Sequence, residues 1–212
     1  MLRIAHGGAN WIVIPISLAL LMVGLAGPLG MPWLVPLSGV PFFFTLFFLY
    51  FFRDPERPAH PEGLACPADG KVVRVDEVDD PDVGRAQRLS IFMRPSDVHV
   101  NRFPLDGDVR RVTHHAGKHV PAFNKDSHRN ERVETLLATE LGEVKVIQIA
   151  GAVARRIVPY AQPGDHVARG EKLGLIRLGS RCDLLIPVGK VAWTVEVGQR
   201  VFANRTKVAE TT

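Results

Sequence analysis

Residues 175–187, LIRLGSRCDLLIP, contain two apolar runs that resemble neighbouring buried strands, separated by the pair Gly179-Ser180. Glycine adopts backbone angles that other residues avoid, and serine readily bonds its own backbone, so an isolated pair of this kind is most simply a turn. Short apolar runs bounded by such residues are typical of strands in a protein interior. The stretch therefore predicts a β fold, and it leaves open whether Ser180 has a chemical role.

Three further stretches alternate apolar and polar residues with a period of two. In KVVRVDEV, residues 71–78, Val73 and Val75 are predicted to share one face of a strand, and residues 143–150 and 190–198 follow the same pattern. This alternation is the signature of a half-buried strand. Helical periodicity is convincing only near the N-terminus, so we expect the rest of the chain to be mainly β.

Two segments with glycine-containing turns refine the predicted fold class. CPADGKVVRV and PGDHVARGEKLGLI, residues 66–75 and 163–176, resemble the paired half-motifs of biotinyl and lipoyl-like domains, in which glycines make tight turns between short strands. We therefore predict a β-sandwich with hammerhead elements. A simple swinging-arm carrier is disfavoured, because no lysine occupies the exposed hairpin that would bear its prosthetic group.

The N-terminal quarter has a different composition. No charged residue occurs from residue 10 to residue 52, and each half of this block approaches the roughly 20 residues that a helix needs to cross a hydrocarbon core. Between the halves, proline and glycine interrupt the pattern and suit a hairpin turn, at Pro28, Gly30, Pro32 and Pro36. A hairpin that spans the membrane and one that is only embedded in it both fit.

These features define the expected domain organisation. We predict a helical hairpin membrane anchor in residues 1–52, a linker in residues 53–63 and a β domain in residues 64–212. Arginines flank the apolar block on both sides, so the positive-inside rule predicts a cell (inner) membrane protein with its β domain facing the cytoplasm. A cleaved secretory signal is the competing interpretation, and the second apolar stretch argues against it.

Charge and cysteine content exclude several other classes. The 212 residues carry a net charge of +4 without a dense run of basic residues, so nucleic-acid binding is disfavoured and attraction to an anionic membrane is favoured. Arg53 and Arg57 are either solvated linker charges or ligands for a lipid phosphate. Cys66 and Cys182 do not form a CxxC motif, so we predict neither a disulfide framework nor a metal site.

The candidate catalytic residues are each unremarkable alone. They are Asp69 in PADG, His99 in DVHVNR, His115, the NER element at residues 130–132, and Ser180. A nucleophilic serine needs a base, and the base needs an orienting carboxylate. Ser180, His99 and Asp69 supply these three residue types. LGSRC differs from the GxSxG elbow of α/β-hydrolases, so an activated Ser180 predicts chemistry other than ordinary hydrolysis.

Several long blocks resemble one family, the short-form phosphatidylserine decarboxylase proenzymes. The resemblance runs in order from about Phe51 to Val201 and is carried by FFRDPERPAHP, PADGKVV, SIFMRPSDVHVNRFPLDG, AFNKDSHRNERV, QIAGAVARRIV and PGDHVARGEKLGLIRLGSRCDLLIP. The Gly-Ser pair lies where that family cleaves itself.

The resemblance implies a self-cleaving enzyme. The hydroxyl of Ser180 would attack the carbonyl of Gly179, giving a long chain, residues 1–179, and a short chain, residues 180–212, that stay together as a heterodimer, with further oligomerisation left open. Ser180 would become a covalent pyruvoyl cofactor. Its carbonyl would form a Schiff base with the substrate phosphatidylserine and act as an electron sink, so that carbon dioxide leaves and phosphatidylethanolamine is formed.

The resemblance also suggests roles for the remaining residues. His99 would be the acid/base and Asp69 would orient it. Long-form relatives carry a second histidine where this chain has Arg102. Either His99 therefore does both proton transfers, or His115 takes one of them. The role of residues 130–132 is left open.

Two alternatives are also kept. The same pyruvoyl chemistry would serve another seryl lipid, such as archaetidylserine, because the reaction involves only the serine end. A membrane-tethered β-sandwich adaptor without catalysis would use Gly179-Ser180 as an ordinary turn. The adaptor hypothesis predicts an uncut chain of 212 residues.

Overall fold

A computed structural model of the chain describes residues 3–117, 130–151, 156–177 and 180–212. The chain divides into a helical unit, Met1–Pro55, and a β unit, Glu56–Thr212. The predicted mainly β soluble part and the predicted N-terminal apolar helices are both confirmed. The likeness to biotinyl and lipoyl-like domains stays a prediction.

The helical unit contains three helices: α1 (Ala9–Ala26), α2 (Leu34–Leu37) and α3 (Gly39–Phe51). Its two ends meet, because the Ala5 amide donates to the Phe52 carbonyl at 2.8 Å and Ile4 forms a β-bridge with Arg53. The segments Ala9–Ala26 and Leu34–Phe51 are each long and apolar enough to cross a membrane, with mean hydropathies of 2.1 and 1.9. This composition suggests membrane association of the helical unit.

The β unit contains fourteen strands among its described residues. In chain order they are β1 (Leu64–Ala65), β2 (Gly70–Asp80), β3 (Gly84–Met93), β4 (Val100–Arg102), β5 (Gly107–His115), β6 (Arg132–Thr139), β7 (Gly142–Ile149), β8 (Ile157–Pro159), β9 (His166–Val167), β10 (Lys172–Ile176), β11 (Ser180–Pro187), β12 (Val191–Trp193), β13 (Arg200–Val201) and β14 (Lys207–Thr211). Their described pairings are antiparallel.

The strands form one large sheet and two small ones. The eight-stranded sheet has the order β13-β2-β3-β11-β7-β6-β5-β9, and the three-stranded sheets have the orders β1-β14-β12 and β4-β10-β8. The two apolar runs of residues 175–187 are strands, as predicted, but they belong to different sheets. The Gly-Ser pair therefore does not close a hairpin between β10 and β11. Ser180 is the first residue of β11, which belongs to a different sheet from β10.

The core lies on one face of the eight-stranded sheet. Cys182, Leu184 and Ile186 of β11 pack there with apolar residues of β3 and β7, including Ile91 and Val146. Successive residues of a strand point to opposite faces, so Ser180 shares the core face with Cys182. Arg181 and Asp183 point to the opposite face and are also buried, so both faces of β11 are covered.

The opposite face is covered at one end by the tip of the β2–β3 hairpin. Lys145 of β7 holds Asp80 and Asp82 of this tip, with N–O distances of 2.6 Å and 2.7 Å. Arg111 of β5 also pairs with Asp82, at 2.6 Å. Because β3 and β11 separate β2 from β7 in the strand order, these contacts require a strongly curled sheet.

Two sequence predictions differ from the structure in detail. Val73 and Val75 were predicted to share a face, but a β-bulge between Val72 and Arg74 shifts the register. Val72 is buried and Val73 is exposed, as alternation requires, and the bulge turns Val75 back toward the core. The strand predicted in residues 190–198 is shorter than the pattern suggests, because β12 ends at Trp193.

Candidate active site

Ser180 begins β11 in the middle of the eight-stranded sheet. It pairs with Met93 at the end of β3, and its residue is fully buried. Within the described part of the chain, the Ser180 Oγ makes no hydrogen bond. A buried polar atom of this kind is costly and usually indicates a functional role or an absent partner. Gly179, the predicted cleavage partner, lies outside the described residues.

His99 follows β3 and lies close to the end of β10. Its carbonyl accepts a hydrogen bond from the Ile176 amide at 3.2 Å, which ties it to the chain just before Ser180. The ring is completely buried, and Nδ1 is 2.9 Å from the Asp97 carbonyl oxygen. A carbonyl only accepts hydrogen bonds, so a neutral His99 carries its proton on Nδ1. Nε2 is then the nitrogen that is able to accept a proton.

Asp69 precedes β2, one strand further along the same end of the sheet. Its carboxylate accepts hydrogen bonds from the Ala203 amide at 2.8 Å and from the Val98 amide at 3.4 Å. The Arg57 guanidinium donates two further hydrogen bonds to the same carboxylate, and the one from Nη2 to Oδ2 measures 2.9 Å. Asp69 thus contacts the residue next to His99, and its link to that histidine runs through the backbone.

Arg57 is a site residue that the sequence analysis did not recognise. The sequence suggested a solvated charge or a phosphate ligand, whereas only 11% of its side chain is exposed and the guanidinium is paired with Asp69. Asn204 fixes the backbone of Arg57, since its Nδ2 donates to the Arg57 carbonyl at 2.7 Å. No local pattern reveals this pair, because the contact joins a proline-rich segment to the start of β2.

Asp97 is the second residue that sequence reasoning missed. Its carboxylate accepts a hydrogen bond from the Arg94 amide at 2.8 Å and pairs with Arg200. The side chain is almost completely buried, and the backbone carbonyl of the same residue holds the His99 ring. The only sequence signal was its position two residues before His99.

His115 is not brought together with Ser180. The register joins His115 to Arg132, Arg132 to Ile149, and Ile149 to Arg181, so His115 lies three strands away from β11. At the usual strand spacing this separation is about 14 Å. His115 also shares its face with Arg181 and therefore lies on the face opposite Ser180.

Arg102, the position at which the resemblance suggested a second histidine, has a structural role here. Arg102, in β4, is buried and its Nη1 donates to the Gly170 carbonyl at 2.9 Å. This bond ties β4 to the turn before β10. Arg102 thus helps to fix the small sheet whose strand β10 leads to Ser180.

The element at residues 130–132 reaches the same end of the sheet as Ser180. Asn130 is fully buried, and its Nδ2 donates to the Ala150 carbonyl at 2.9 Å. Ala150 follows Ile149, which pairs with Arg181 beside Ser180. Glu131, in contrast, pairs with the exposed His114 at 3.0 Å. Asn130 is therefore the member of this element nearest to the candidate site.

The two thiols are not competing nucleophiles. Cys66 and Cys182 are free and buried. Burial raises the pKa of Cys66 to about 12 and raises the pKa of Cys182 well above its usual range. Both are consequently neutral thiols near pH 7, and the thiolate is the reactive form. Among the described residues, no group of three His, Cys, Asp or Glu side chains has the arrangement of a metal site.

The candidate site combines a buried hydroxyl, a histidine with a defined tautomer and a carboxylate fixed by an arginine. These groups are Ser180, His99 and Asp69, held by β11, the β3–β4 segment and the start of β2. A hydroxyl beside a proton acceptor is suited to attack on a nearby carbonyl. Burial restricts that attack to a carbonyl supplied by the protein itself or by a substrate that enters the interior.

Comparisons with known proteins point to one family. The model of the phosphatidylserine decarboxylase family matches residues 44–209. A phosphatidylserine decarboxylase proenzyme from Streptomyces coelicolor is 44% identical over 97% of this chain and 91% of the relative. One from Thermobifida fusca is 53% identical over 75% of the chain and 71% of the relative.

An archaeal relative is nearly as similar. A Methanococcoides burtonii protein, provisionally named an archaetidylserine decarboxylase proenzyme, is 39% identical over 98% of the chain and 96% of the relative. The family match and these near-complete alignments agree with each other over the β unit and over part of the helical unit. The chain therefore belongs to the phosphatidylserine decarboxylase family.

Proposed function

We propose that this protein is a phosphatidylserine decarboxylase proenzyme that cleaves itself between Gly179 and Ser180 and then converts phosphatidylserine to phosphatidylethanolamine and carbon dioxide. The observation that carries the proposal is Ser180 itself. Its hydroxyl is fully buried without a described hydrogen-bond partner, at the position where members of this family are expected to cut. The family membership and the near-complete alignments support the same conclusion.

The cleavage step uses only groups of the chain. The Ser180 Oγ gives up its proton and attacks the carbonyl carbon of Gly179. The bond between that carbon and the Ser180 nitrogen breaks, the nitrogen takes up a proton, and the peptide becomes an ester. Elimination of the ester across Cα and Cβ of residue 180 then releases residues 1–179 with a free carboxylate. Hydrolysis of the resulting enamine releases ammonia and leaves a pyruvoyl group on residues 180–212.

His99 is the base that we assign to this step. The Asp97 carbonyl holds the Nδ1 proton, so Nε2 is suited to accept the proton of the Ser180 hydroxyl. Complete burial of the ring keeps water away from this transfer. The Asp69 carboxylate supports the His99 segment through the Val98 amide. His115 is a weaker candidate for any proton transfer, because three strand spacings and the sheet itself separate it from Ser180.

The pyruvoyl carbonyl supplies the electron sink that decarboxylation of an amino acid needs and that ordinary side chains lack. The residues present fit such a group. Position 180 is buried, and the Ser180 Oγ has no described hydrogen-bond partner. The thiols of Cys66 and Cys182 are neutral, so they do not attack a carbonyl at this position. His99 stays tied to the end of β10 through its carbonyl, so we assign the return of a proton to the product to the same imidazole.

The two cleavage products are expected to stay together. β11 carries the new terminus and pairs with β3 on one side and with β7 on the other, over eight and five residue pairs. Both neighbours belong to the long chain, so β11 of the short chain lies between two strands of the long chain. We expect a heterodimer that separates only on unfolding, and its further oligomerisation is a separate question.

Membrane attachment completes the proposal. The two apolar segments of the helical unit suit an anchor in the cell membrane, and arginines on both sides favour a cytoplasmic β unit. A lipid substrate is most easily reached by an enzyme that stays at the bilayer surface.

Intact-mass measurement of the purified protein tests the cleavage. We expect two polypeptides, with the smaller one lacking a free amino terminus and reacting with a carbonyl reagent. Ser180→Ala should leave one uncut chain. Ser90→Ala is the matched control, because Ser90 is another buried serine whose Oγ has no described hydrogen-bond partner, on the neighbouring strand β3. An uncut wild-type chain would support the membrane-tethered adaptor instead.

The base assignment is tested by the rate of processing. Removing a general base slows a reaction by about 100-fold or more, so His99→Ala should accumulate the uncut chain. Asp69→Asn should also slow cleavage, whereas His115→Ala should cleave at the wild-type rate. Normal processing of both the His99 and the Asp69 variants would refute the assignment.

A second substrate is suggested by the archaeal relatives. The Methanococcoides burtonii protein aligns along almost the whole chain, and a seryl headgroup on an ether lipid undergoes the same reaction. Decarboxylation of phosphatidylserine and archaetidylserine should be compared at equal surface concentration. Faster turnover of the ether lipid would change the substrate and leave the cleavage chemistry intact.

A further inference from the structure

Outside the helical unit, the described residues expose three large apolar side chains, and these three lie at one edge of the eight-stranded sheet. Val73, Val197 and Phe202 are 42%, 61% and 40% exposed, respectively. Scattered single apolar residues are normal on a protein surface, but a cluster of this kind indicates an interaction site. We call this surface the edge patch.

The backbone joins these residues into one surface. β13 pairs with β2 through Arg200–Lys71 and Val201–Gly70, and Phe202 directly follows this pairing. The Gly198 amide donates a hydrogen bond to the Val72 carbonyl at 2.8 Å. Val197 precedes Gly198 and Val73 follows Val72, so both side chains lie next to this hydrogen bond. Val73 follows the buried Val72 on β2 and therefore points outward. The register of β13 and the side-chain alternation of β2 therefore produce the edge patch.

The charges around the edge patch are mainly positive. Lys71 and Arg205 are exposed there, and the Arg200 guanidinium lies 5.6 Å from the centre of the Phe202 ring while also pairing with Asp97. Glu196 is the acidic residue of the adjoining segment. Apolar and aromatic side chains with flanking cations are the combination that favours the interface of an anionic bilayer.

A protein partner fits this surface less well. β13 has two residues, which is too short to receive an added strand, and three side chains fall far below the roughly 800 Å² that each partner contributes to a typical stable interface. Docking on a lipid surface does not need such a large buried area. The helical unit already supplies a membrane anchor, and a few inserted side chains add to its affinity for the membrane.

The edge patch also adjoins the candidate active site. Gly70 of β2 follows Asp69, and the Ala203 amide, next to Phe202, donates to the Asp69 carboxylate at 2.8 Å. We propose that the β unit docks on the anionic bilayer surface through Val73, Val197 and Phe202, with Lys71 and Arg205 facing the lipid phosphates. The proposal rests on the proposed function, because docking at this edge brings a lipid headgroup beside Asp69.

Site-specific labelling tests docking independently of catalysis. Val197→Cys in the full chain is labelled with a polarity-sensitive fluorophore and reconstituted into vesicles of phosphatidylcholine with or without phosphatidylglycerol. We expect a blue shift and quenching by brominated lipid acyl chains in the anionic vesicles. Gln162→Cys is the control, because Gln162 is exposed close to β9, at the other end of the strand order. Equal signals from both positions, or a water-like signal from residue 197, would overturn the proposal.

Activity measurements provide the second test. The double variant Val197→Ser, Phe202→Ser should lose activity several-fold on phosphatidylserine in bilayers and keep wild-type activity on substrate dispersed in detergent. Lys71→Gln with Arg205→Gln should abolish the preference for anionic vesicles. Equal loss in bilayer and detergent, or no loss in either, would contradict docking. Failure of the wild type to cleave itself or to release carbon dioxide would instead contradict the proposed function.

Discussion

Arg57 and Asp69 form a buried ion pair across twelve residues of sequence, with the guanidinium of Arg57 bound to both carboxylate oxygens. Two backbone amides, those of Val98 and Ala203, bind the same carboxylate. The pair thus links the segment after the helical unit to the part of the β unit that holds His99. Arg57 acts on the candidate site through Asp69, and we regard it as a positioning residue.

Substitution of Arg57 should impair both stability and processing. Arg57→Gln leaves the Asp69 carboxylate buried without its cation, a change that typically costs about 3–5 kcal/mol. We expect slower self-cleavage with a shifted pH profile and partial recovery in Arg57→Lys. Arg85→Gln is the matched control, because its pair with Glu77 is exposed and such pairs contribute about 1 kcal/mol or less. Wild-type kinetics in Arg57→Gln would show that Asp69 needs no cation.

Asp97 should affect processing through the His99 tautomer. Asp97→Asn weakens its pair with Arg200 and loosens the segment whose carbonyl holds Nδ1. We expect slower cleavage, with the midpoint of its pH profile displaced from that of the wild type. Asp165→Asn is the control, because Asp165 accepts an amide hydrogen bond from Gln162, three residues earlier, in a turn outside the site. An unchanged pH profile in Asp97→Asn would argue against this role.

Lys145 should be important for stability and unimportant for chemistry. Its ammonium group is almost completely buried and binds Asp80 and Asp82 of the β2–β3 hairpin tip. Lys145→Ala removes this partner from Asp80, while Asp82 keeps its pair with Arg111. The variant should be destabilised by about 1–3 kcal/mol, measured by urea unfolding in detergent. Processing at low temperature should still go to completion. A variant as stable as the wild type would show that the curl of the sheet does not depend on this contact.

The same cluster predicts a loss of stability in acid. Hydrogen bonds from Lys145 and Arg111 lower the pKa of Asp82 in the folded protein. A lowered carboxyl pKa stabilises the fold above the ordinary value for aspartate, about 3.9, and this contribution disappears as the pH falls through the folded value. Asp82→Asn should therefore unfold at lower urea concentration than the wild type at pH 7. Its difference from the wild type should shrink below pH 4, and a constant difference would exclude this linkage.

Both cysteines should resist alkylation until the protein unfolds. Burial raises the pKa of Cys66 to about 12 and that of Cys182 well above its usual value, so neither forms the reactive thiolate at pH 8. Labelling with a maleimide, followed by mass measurement, should add no label to the native protein and two labels in denaturant. Rapid labelling of the folded protein would contradict the burial of these thiols.

The sequence by itself determined the mainly β character, the apolar N-terminal helices and the family. Alternation with a period of two is a local property of strands, so residues 71–78, 143–150 and 190–198 predicted strands without knowledge of their partners. Long apolar segments are equally local. The blocks around Asp69, His99 and Ser180 carried the family resemblance that the comparisons confirm.

Only the tertiary structure decided which of these residues meet. Pairing of Arg57 with Asp69 and of Lys145 with the hairpin tip depends on the curl of the sheet, which no local pattern encodes. The register places His115 three strands from Ser180 and on the opposite face of the sheet. One bulge turns Val75 toward the core while Val73 points to solvent. Sequence patterns describe each strand separately, whereas contacts between strands depend on register and curvature, which arise when the sheet is assembled.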